Sequence, residues 1–386
     1  MEQILALLLP IAAVSGWFAA TKHFKKKSLN NLHKRNLAYF QGLNHLFDER
    51  PDKALDVFVF LLEDGNETVE THLALGSLFR KRGEIERAIS IHKRLVDRKD
   101  LCKDQQRQVL FELGMDYLRA GLYGRAEALF LQLVGAGAFK KAALQQLLYL
   151  YQQEKEWFKA IEYKRKLDQI GGGLRGESAA QFYCELALES YEKGDKGKAA
   201  EFIEHSLREN KCCVRASLIA ADMWMDQDYY DHAIESLKRV ENQDPVYLCE
   251  AINPLIKCFE NVGGGGKHVS YLNYLYDQYS IPGATAEIAK LLERNEGDDR
   301  AIEFLLETLN GNTTIQGIDV LVTMLMTRSN EESRKILSKL SDICSKLLTK
   351  QAFYQCAQCG FSCNQIHWRC PSCHHWETIK PVVIEL

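Results

Sequence analysis

A repeat period of thirty-four runs through this chain and constrains its fold more than any other feature. Gly42-Leu43 aligns on Gly76-Ser77 at that separation, and the same offset carries Ala54 onto Ala88 and Phe58 onto His92. Gly114, Tyr117, Ala126 and Phe130 repeat the internal spacing at positions eight, eleven, twenty and twenty-four. Ala160, Ala199, Ala233 and Ala301 hold position twenty of later units, and Pro245 falls at position thirty-two of the unit of Ala233. The steps between successive alanines are thirty-four, thirty-eight, thirty-four, thirty-nine and thirty-four, then sixty-eight across one degenerate unit. The longer steps coincide with Asp100–Asp104 and Gly171–Gly173, which read as inserted loops. Turns such as Arg82-Gly83-Glu84 and Lys193-Gly194-Asp195 divide each unit into two amphipathic stretches. Neither helix of such a pair can bury its apolar stripe alone, so the units must stack.

This pattern resembles the tetratricopeptide repeat. In that family small residues at positions eight and twenty let two helices approach, and large ones at seven, eleven and twenty-four fill the space around the crossing. The expected fold class is all-α: a superhelical solenoid of eight units over residues 35–315, closed by a helical cap over 316–350. Gly263–Gly266 blurs the seventh unit. The inner face of such an array is lined by first-helix positions two, five, nine and twelve. Here these include Leu73, Ser77 and Arg80, then Phe111, Met115 and Leu118, then Gln145, Tyr149 and Gln152. That mixture of apolar, aromatic and amide groups suits a protein segment rather than a small metabolite, although each residue could instead pack against a neighbouring repeat. Repeats that grip acidic chaperone tails place Lys and Asn on these faces, and units one to three lack that set.

Charge and motifs exclude several functions. Of 386 residues 52 are acidic and 49 basic, a net charge of −3, so no nucleic-acid partner is expected. His23, His33, His45, His72, His92, His205, His232 and His268 are scattered, without HExxH or a serine elbow. Neither Gly171–Gly173 nor Gly263–Gly266 is followed by the Lys-Ser/Thr of a phosphate loop. The chain is expected not to be an enzyme.

Ile4–Ala20 carries no charge. With a helical rise of about 1.5 Å per residue it is just long enough to span a thin hydrocarbon core. Lys22, Lys25, Lys26, Lys27, Lys34 and Arg35 follow it. Positive residues stay on the cytoplasmic side, which predicts a transmembrane anchor over 1–21, a basic juxtamembrane segment over 22–34, and a body inside the cell. A secretory signal wants its positive charge before the apolar stretch, where this chain has Glu2; a buried helix would show a polar face.

Five of the twelve cysteines crowd into Cys356–Cys373. Cys356-x-x-Cys359-Gly and Cys370-Pro-x-Cys373 form two CxxC turns, ten residues apart, within 351–386. Two intervening residues let both sulfurs of a turn face one point, and Gly360 can supply the positive φ that closes it. The four thiolates Cys356, Cys359, Cys370 and Cys373 make a tetrahedral site for one iron or zinc ion. A unit this small needs such a staple. Cys363, His367, His374 and His375 are competing ligands of lower rank. The double knuckle resembles the rubredoxin type, with a shorter intervening loop and with His374 where glycine is usual after the last ligand. Phe361, Trp368 and Trp376 exceed what so small a unit can bury, so they should dock it onto the last helices or a partner. Cys102, Cys184, Cys212, Cys213, Cys249, Cys258 and Cys344 read as reduced packing residues.

Taken together, the parts resemble the lipopolysaccharide assembly protein B family of Gram-negative bacteria. The likeness runs through LLLPIAAVSGW, HLALGSLFRKRGEIERAISIH, AGLYGRAEALF, ALQQLLYLYQ, QFYCELAL and the terminal CxxCG…WxCPSCxxW…TIKP. The resemblance implies an inner-membrane protein facing the cytoplasm that regulates lipopolysaccharide synthesis. Its implied partners are the protease FtsH, the lipid A-committing deacetylase LpxC whose degradation it promotes, and other synthesis enzymes it gathers; homo-oligomers are left open. It also places the family's metal ligands on Cys356, Cys359, Cys370 and Cys373. The alternative is a rubredoxin-like redox or iron-sensing membrane protein.

Overall fold

The computed structural model describes residues 68–137, 139–171, 179–263, 266–279, 284–311, 313–350 and 353–382, with the single positions 41, 53 and 57. The chain divides into two compact units, Met1–Glu154 and Lys155–Leu386.

In the first unit the described helices are α1 (Val69–Lys81), α2 (Ile85–Val96), α3 (Lys103–Arg119), α4 (Tyr123–Ala136) and α5 (Lys140–Gln153). The second holds α6 (Trp157–Gln169), α7 (Ala179–Glu192), α8 (Lys196–Glu209), α9 (Val214–Met225) and α10 (Tyr230–Gln243), then a 3-10 turn at Pro245–Tyr247. It continues with α11 (Leu248–Val262), α12 (Gly266–Tyr279), α13 (Ala284–Glu296), α14 (Asp298–Gly311), α15 (Ile315–Arg328) and α16 (Glu331–Lys350). Three short strands, β1 (Tyr354–Cys356), β2 (Ser362–Cys363) and β3 (Ile379–Pro381), close the tail.

The repeat spacing has a direct physical meaning. The six position-twenty alanines among the described residues, Ala88, Ala126, Ala160, Ala199, Ala233 and Ala301, are fully buried. At the crossing of α1 and α2, a Cβ on Gly76 would come within 2.3 Å of His92 Nε2. In the next pair, a Cβ on Gly114 would come within 2.8 Å of the Phe130 ring. Only a bare Cα lets the partner ring sit so close. Position fifteen closes the turn in the left-handed region in five units: Gly83, Gly121 and Gly194 there have φ of +82°, +72° and +82°, and Lys155 and Asp228 adopt +58° and +61°. In the glycine-closed turns the next N–H reaches back across the turn: Glu84 to Phe79, Leu122 to Tyr117 and Asp195 to Ser190, each 2.9 Å. These bonds satisfy carbonyls that a helix end leaves open.

The transmembrane expectation is corrected. No helix among the described residues is long and apolar enough to cross a membrane. The physical reason is composition: spanning takes about 20 consecutive apolar residues, and α16, the 20-residue helix, carries eight charged ones. The transmembrane helix therefore drops out of the fold class, and the single-pass inner-membrane placement drops out with it. Ile4–Ala20, the basic segment 22–34 and nearly all of the first repeat lie outside the described residues.

Candidate metal centre and its docking face

The tail is a three-stranded antiparallel sheet in the order β2-β1-β3. Tyr354 pairs with Cys363 on one side and Pro381 on the other, and Cys356 pairs with Ile379. The turn between β1 and β2 carries the first CxxC pair. The second is closed by an isolated bridge between Arg369 and Trp376.

The two knuckles are copies of one another at an offset of fourteen residues. Cys356 N–H donates to Phe361 O at 2.8 Å, and Cys370 N–H to His375 O at 2.9 Å. Gly360 N–H donates to Cys356 O and His374 N–H to Cys370 O, both at 2.9 Å. The pivot is left-handed in each, φ +76° at Gly360 and +60° at His374. Histidine is among the few non-glycine residues enriched in that region. Its presence after the last cysteine therefore changes the residue without changing the backbone.

The Sγ atoms of Cys356, Cys359, Cys370 and Cys373 all lie within 4.8 Å of one another. Cys356 and Cys373 are 3.7 Å apart, as are Cys359 and Cys370. A tetrahedron with metal–sulfur bonds of about 2.3 Å has edges of about 3.8 Å, so the spacing fits one metal ion. Four sulfurs in that arrangement suit zinc or iron alike. Cys363, His367, His374 and His375 stand outside the group. Cys356 and Cys370 are buried, and with Ile379 they form the knuckle's small core beside Tyr354 and Phe361. Burial alone would push the Cys356 thiol up, but its hydrogen bonds with the Thr378 hydroxyl and the N–H groups of Cys359 and Gln358 bring it down to about 6.

The knuckle docks on the repeats, with contacts on α6, α7, α9, the 3-10 turn and α11. Trp376, 3% exposed, packs edge-on against Trp157 of α6 and Phe182 of α7, at centroid distances of 6.3 and 6.0 Å. The guanidinium groups of Arg215 and Arg369 lie over its ring at 5.6 and 5.8 Å. Gln181 Nε2 donates to Glu377 Oε1 at 2.6 Å. Arg215 donates to Gln181 Oε1 at 3.3 Å and to Glu185 at 2.7 Å. Further along, Tyr247 donates its hydroxyl to Ile379 O at 3.0 Å and lies against Trp368 at 5.4 Å. Lys380 reaches Asp244 at 3.1 Å, and Tyr354 donates to Glu250. Burial pushes the phenols of Tyr247 and Tyr354 above their ordinary range, with neighbouring carboxylates adding to the effect.

Gln181 and Arg215 stand one full period apart, at inner-face position two of successive units. Sequence reasoning named that position, and Trp368 and Trp376 on the knuckle's side, but none of the repeat residues that receive them; the available signal was two polar residues one period apart. In the first unit several expected inner-face residues serve the array itself. Arg80 binds Asp116 at 2.6 Å and Glu112 at 2.5 Å, Ser77 donates to Glu112 at 3.1 Å, and Phe111 stacks on Phe139 at 5.7 Å. Burial alone would lower the Arg80 guanidinium, but these two carboxylates carry it above its ordinary value. Asp116 also meets His92 Nδ1 at 2.5 Å, and both side chains are fully buried. No catalytic constellation is assembled among the described residues.

Fold and site together define a helical-repeat protein carrying a four-thiolate metal knuckle. The rubredoxin metal binding domain family matches residues 354–381. Lipopolysaccharide assembly protein B of Escherichia coli (strain K12) is 33% identical over 383 residues, covering 99% of this chain and 98% of that protein. Its counterpart from Haemophilus influenzae is 31% identical over 391 residues, with 99% and 98% covered. Among solved structures, the C-terminal part of a TPR repeat-containing protein from Cytophaga hutchinsonii is 13% identical at a TM-score of 0.38, covering 73% of this chain and 99% of that one. The chain belongs to the lipopolysaccharide assembly protein B family. It is an assembly protein of that family and not an enzyme.

Proposed function

We propose that this chain is an adaptor in lipopolysaccharide assembly that presents the deacetylase LpxC to the protease FtsH and holds synthesis enzymes close to one another. The observation that carries the reading is the docking face: side chains of the repeats, Gln181 and Arg215 of the inner face together with Trp157, Phe182, Asp244 and Tyr247, grip a folded protein element, the chain's own knuckle, through Trp376, Glu377, Ile379 and Lys380. A surface able to hold one folded segment by aromatic, amide and ionic contacts is chemically suited to hold another. Holding two proteins on one chain raises their effective concentration without any reaction of its own.

The same proposal assigns Cys356, Cys359, Cys370 and Cys373 as the ligands of one iron or zinc ion. Bound there, the metal cross-links the two knuckles and fixes the shape that the repeats recognise. The repeats over 35–315, cap over 316–350 and metal domain over 351–386 are its working parts. The test replaces Cys370 and Cys373 together by serine and follows the LpxC half-life in cells. A lengthened half-life is expected; an unchanged one removes the knuckle from the mechanism. Crosslinking in cells should recover envelope-lipid synthesis proteins, and recovery of none would overturn the adaptor role.

A further inference from the structure

Beneath the docked knuckle lies a pair of thiols that the metal site does not use. Cys184 of α7 and Cys213, the residue capping the start of α9, have their Sγ atoms 3.9 Å apart and are fully buried. Ser206 Oγ lies 3.3 Å from the first and 3.6 Å from the second, while donating its own proton to Ala180 O. Gln181 Nε2 donates both to Cys213 Sγ, at 3.4 Å, and to Glu377 Oε1 of the knuckle. One amide therefore joins the thiol pair to the docked tail.

The two thiols are unequal. Cys184 is raised well above an ordinary thiol by burial, with Cys213 adding to the effect. Cys213 is lowered, chiefly by its hydrogen bond from Cys184 and, against burial, by the Ala216 N–H of the α9 first turn. The neighbouring Cys212 is exposed and lies outside this arrangement.

We propose that Cys184 and Cys213 are a disulfide-forming site gated by the metal knuckle, with hydrogen peroxide as the class of oxidant. The Cys213 thiolate attacks a peroxide oxygen; the O–O bond breaks, leaving a sulfenic acid and releasing water. Cys184 then displaces the sulfenic hydroxyl as a second water and forms the S–S bond, so two electrons and two thiol protons leave the protein. The sulfurs close from 3.9 Å to about 2.05 Å. That movement draws Cys213 Sγ away from Gln181 and disturbs the amide that holds Glu377. While the knuckle is docked it covers Gln181, and the pair is shielded; when it lifts, the pair is open to oxidant. This inference is independent of which proteins the array carries.

The test uses the full chain with its metal bound, treated with hydrogen peroxide, after which free thiols are alkylated and the peptides identified by mass spectrometry. A Cys184–Cys213 linkage is expected, absent in Cys213→Ser and retained in Cys212→Ser. It should form about tenfold faster in Trp376→Ala, which removes the main docking contact and no metal ligand. Tyr247→Phe, which deletes one hydrogen bond and keeps the packing, should shift the rate in the same direction and serves if Trp376→Ala does not fold. Full alkylation of both residues after peroxide in every protein overturns the proposal. So does a Cys212–Cys213 linkage in place of Cys184–Cys213, and an equal rate in the wild type and the loosened variant overturns the gating.

Discussion

Gly76 shows how a single atom decides whether two helices can cross. Its missing Cβ is the space occupied by the His92 ring, which is itself buried against Asp116. Gly76→Ala should therefore destabilise the fold by about 1–3 kcal/mol, the usual cost of overpacking a tight site, read as a lower denaturant midpoint. Asp116 is the hub of the neighbouring network, since it meets both Arg80 and His92. Asp116→Ala leaves both without that carboxylate in a water-poor setting and should cost about 3 kcal/mol or more, measured in the same way. These two residues differ in how visible they were. The period placed Gly76, Ala88 and His92 at positions eight, twenty and twenty-four. Asp116 and Glu112 carry no periodic signature, because an ion network depends on which charges happen to face one another across α1 and α3.

At the scale of elements, the knuckle is a case where local sequence fixed the fold of the part but not its place. Two CxxC turns bring four sulfurs together through hydrogen bonds that repeat at an offset of fourteen residues. The residues that hold the part in place come from elsewhere: Gln181 and Arg215 one period apart, Tyr247 and Asp244 beside the 3-10 turn. Glu377 gives this docking a pH dependence. Burial raises its carboxyl above the ordinary 4.5, against the lowering effects of Gln181, Lys380 and Arg215. The docked state thus holds that proton more tightly than the unfolded chain does. Its contribution is complete below 4.5 and is lost as pH rises through the raised value. Melting temperatures of the wild type and Glu377→Gln should diverge across that window, with the glutamine variant not losing stability as the carboxylate forms.

For the molecule as a whole, the metal's influence should follow the docking contacts. Removing it with a chelator should raise hydrogen exchange in 354–381 and then along α6, α7, α9 and α11, the helices whose side chains meet the tail. Exchange in α1–α4, which belong to the first compact unit, should stay unchanged. Uniform loss of protection would show that the metal supports the repeats in some other way. The sequence by itself determined the period, the helix pairs and the four-cysteine set, because these depend on spacing along one helix face or within one short turn. Tertiary structure decided where the knuckle sits, which inner-face residues serve the array and which serve the tail, and that Cys184 and Cys213 meet. Those outcomes depend on contacts between residues as far apart in sequence as Trp157 and Trp376, 219 positions; spacing within one segment cannot specify the surface that a distant segment brings to it.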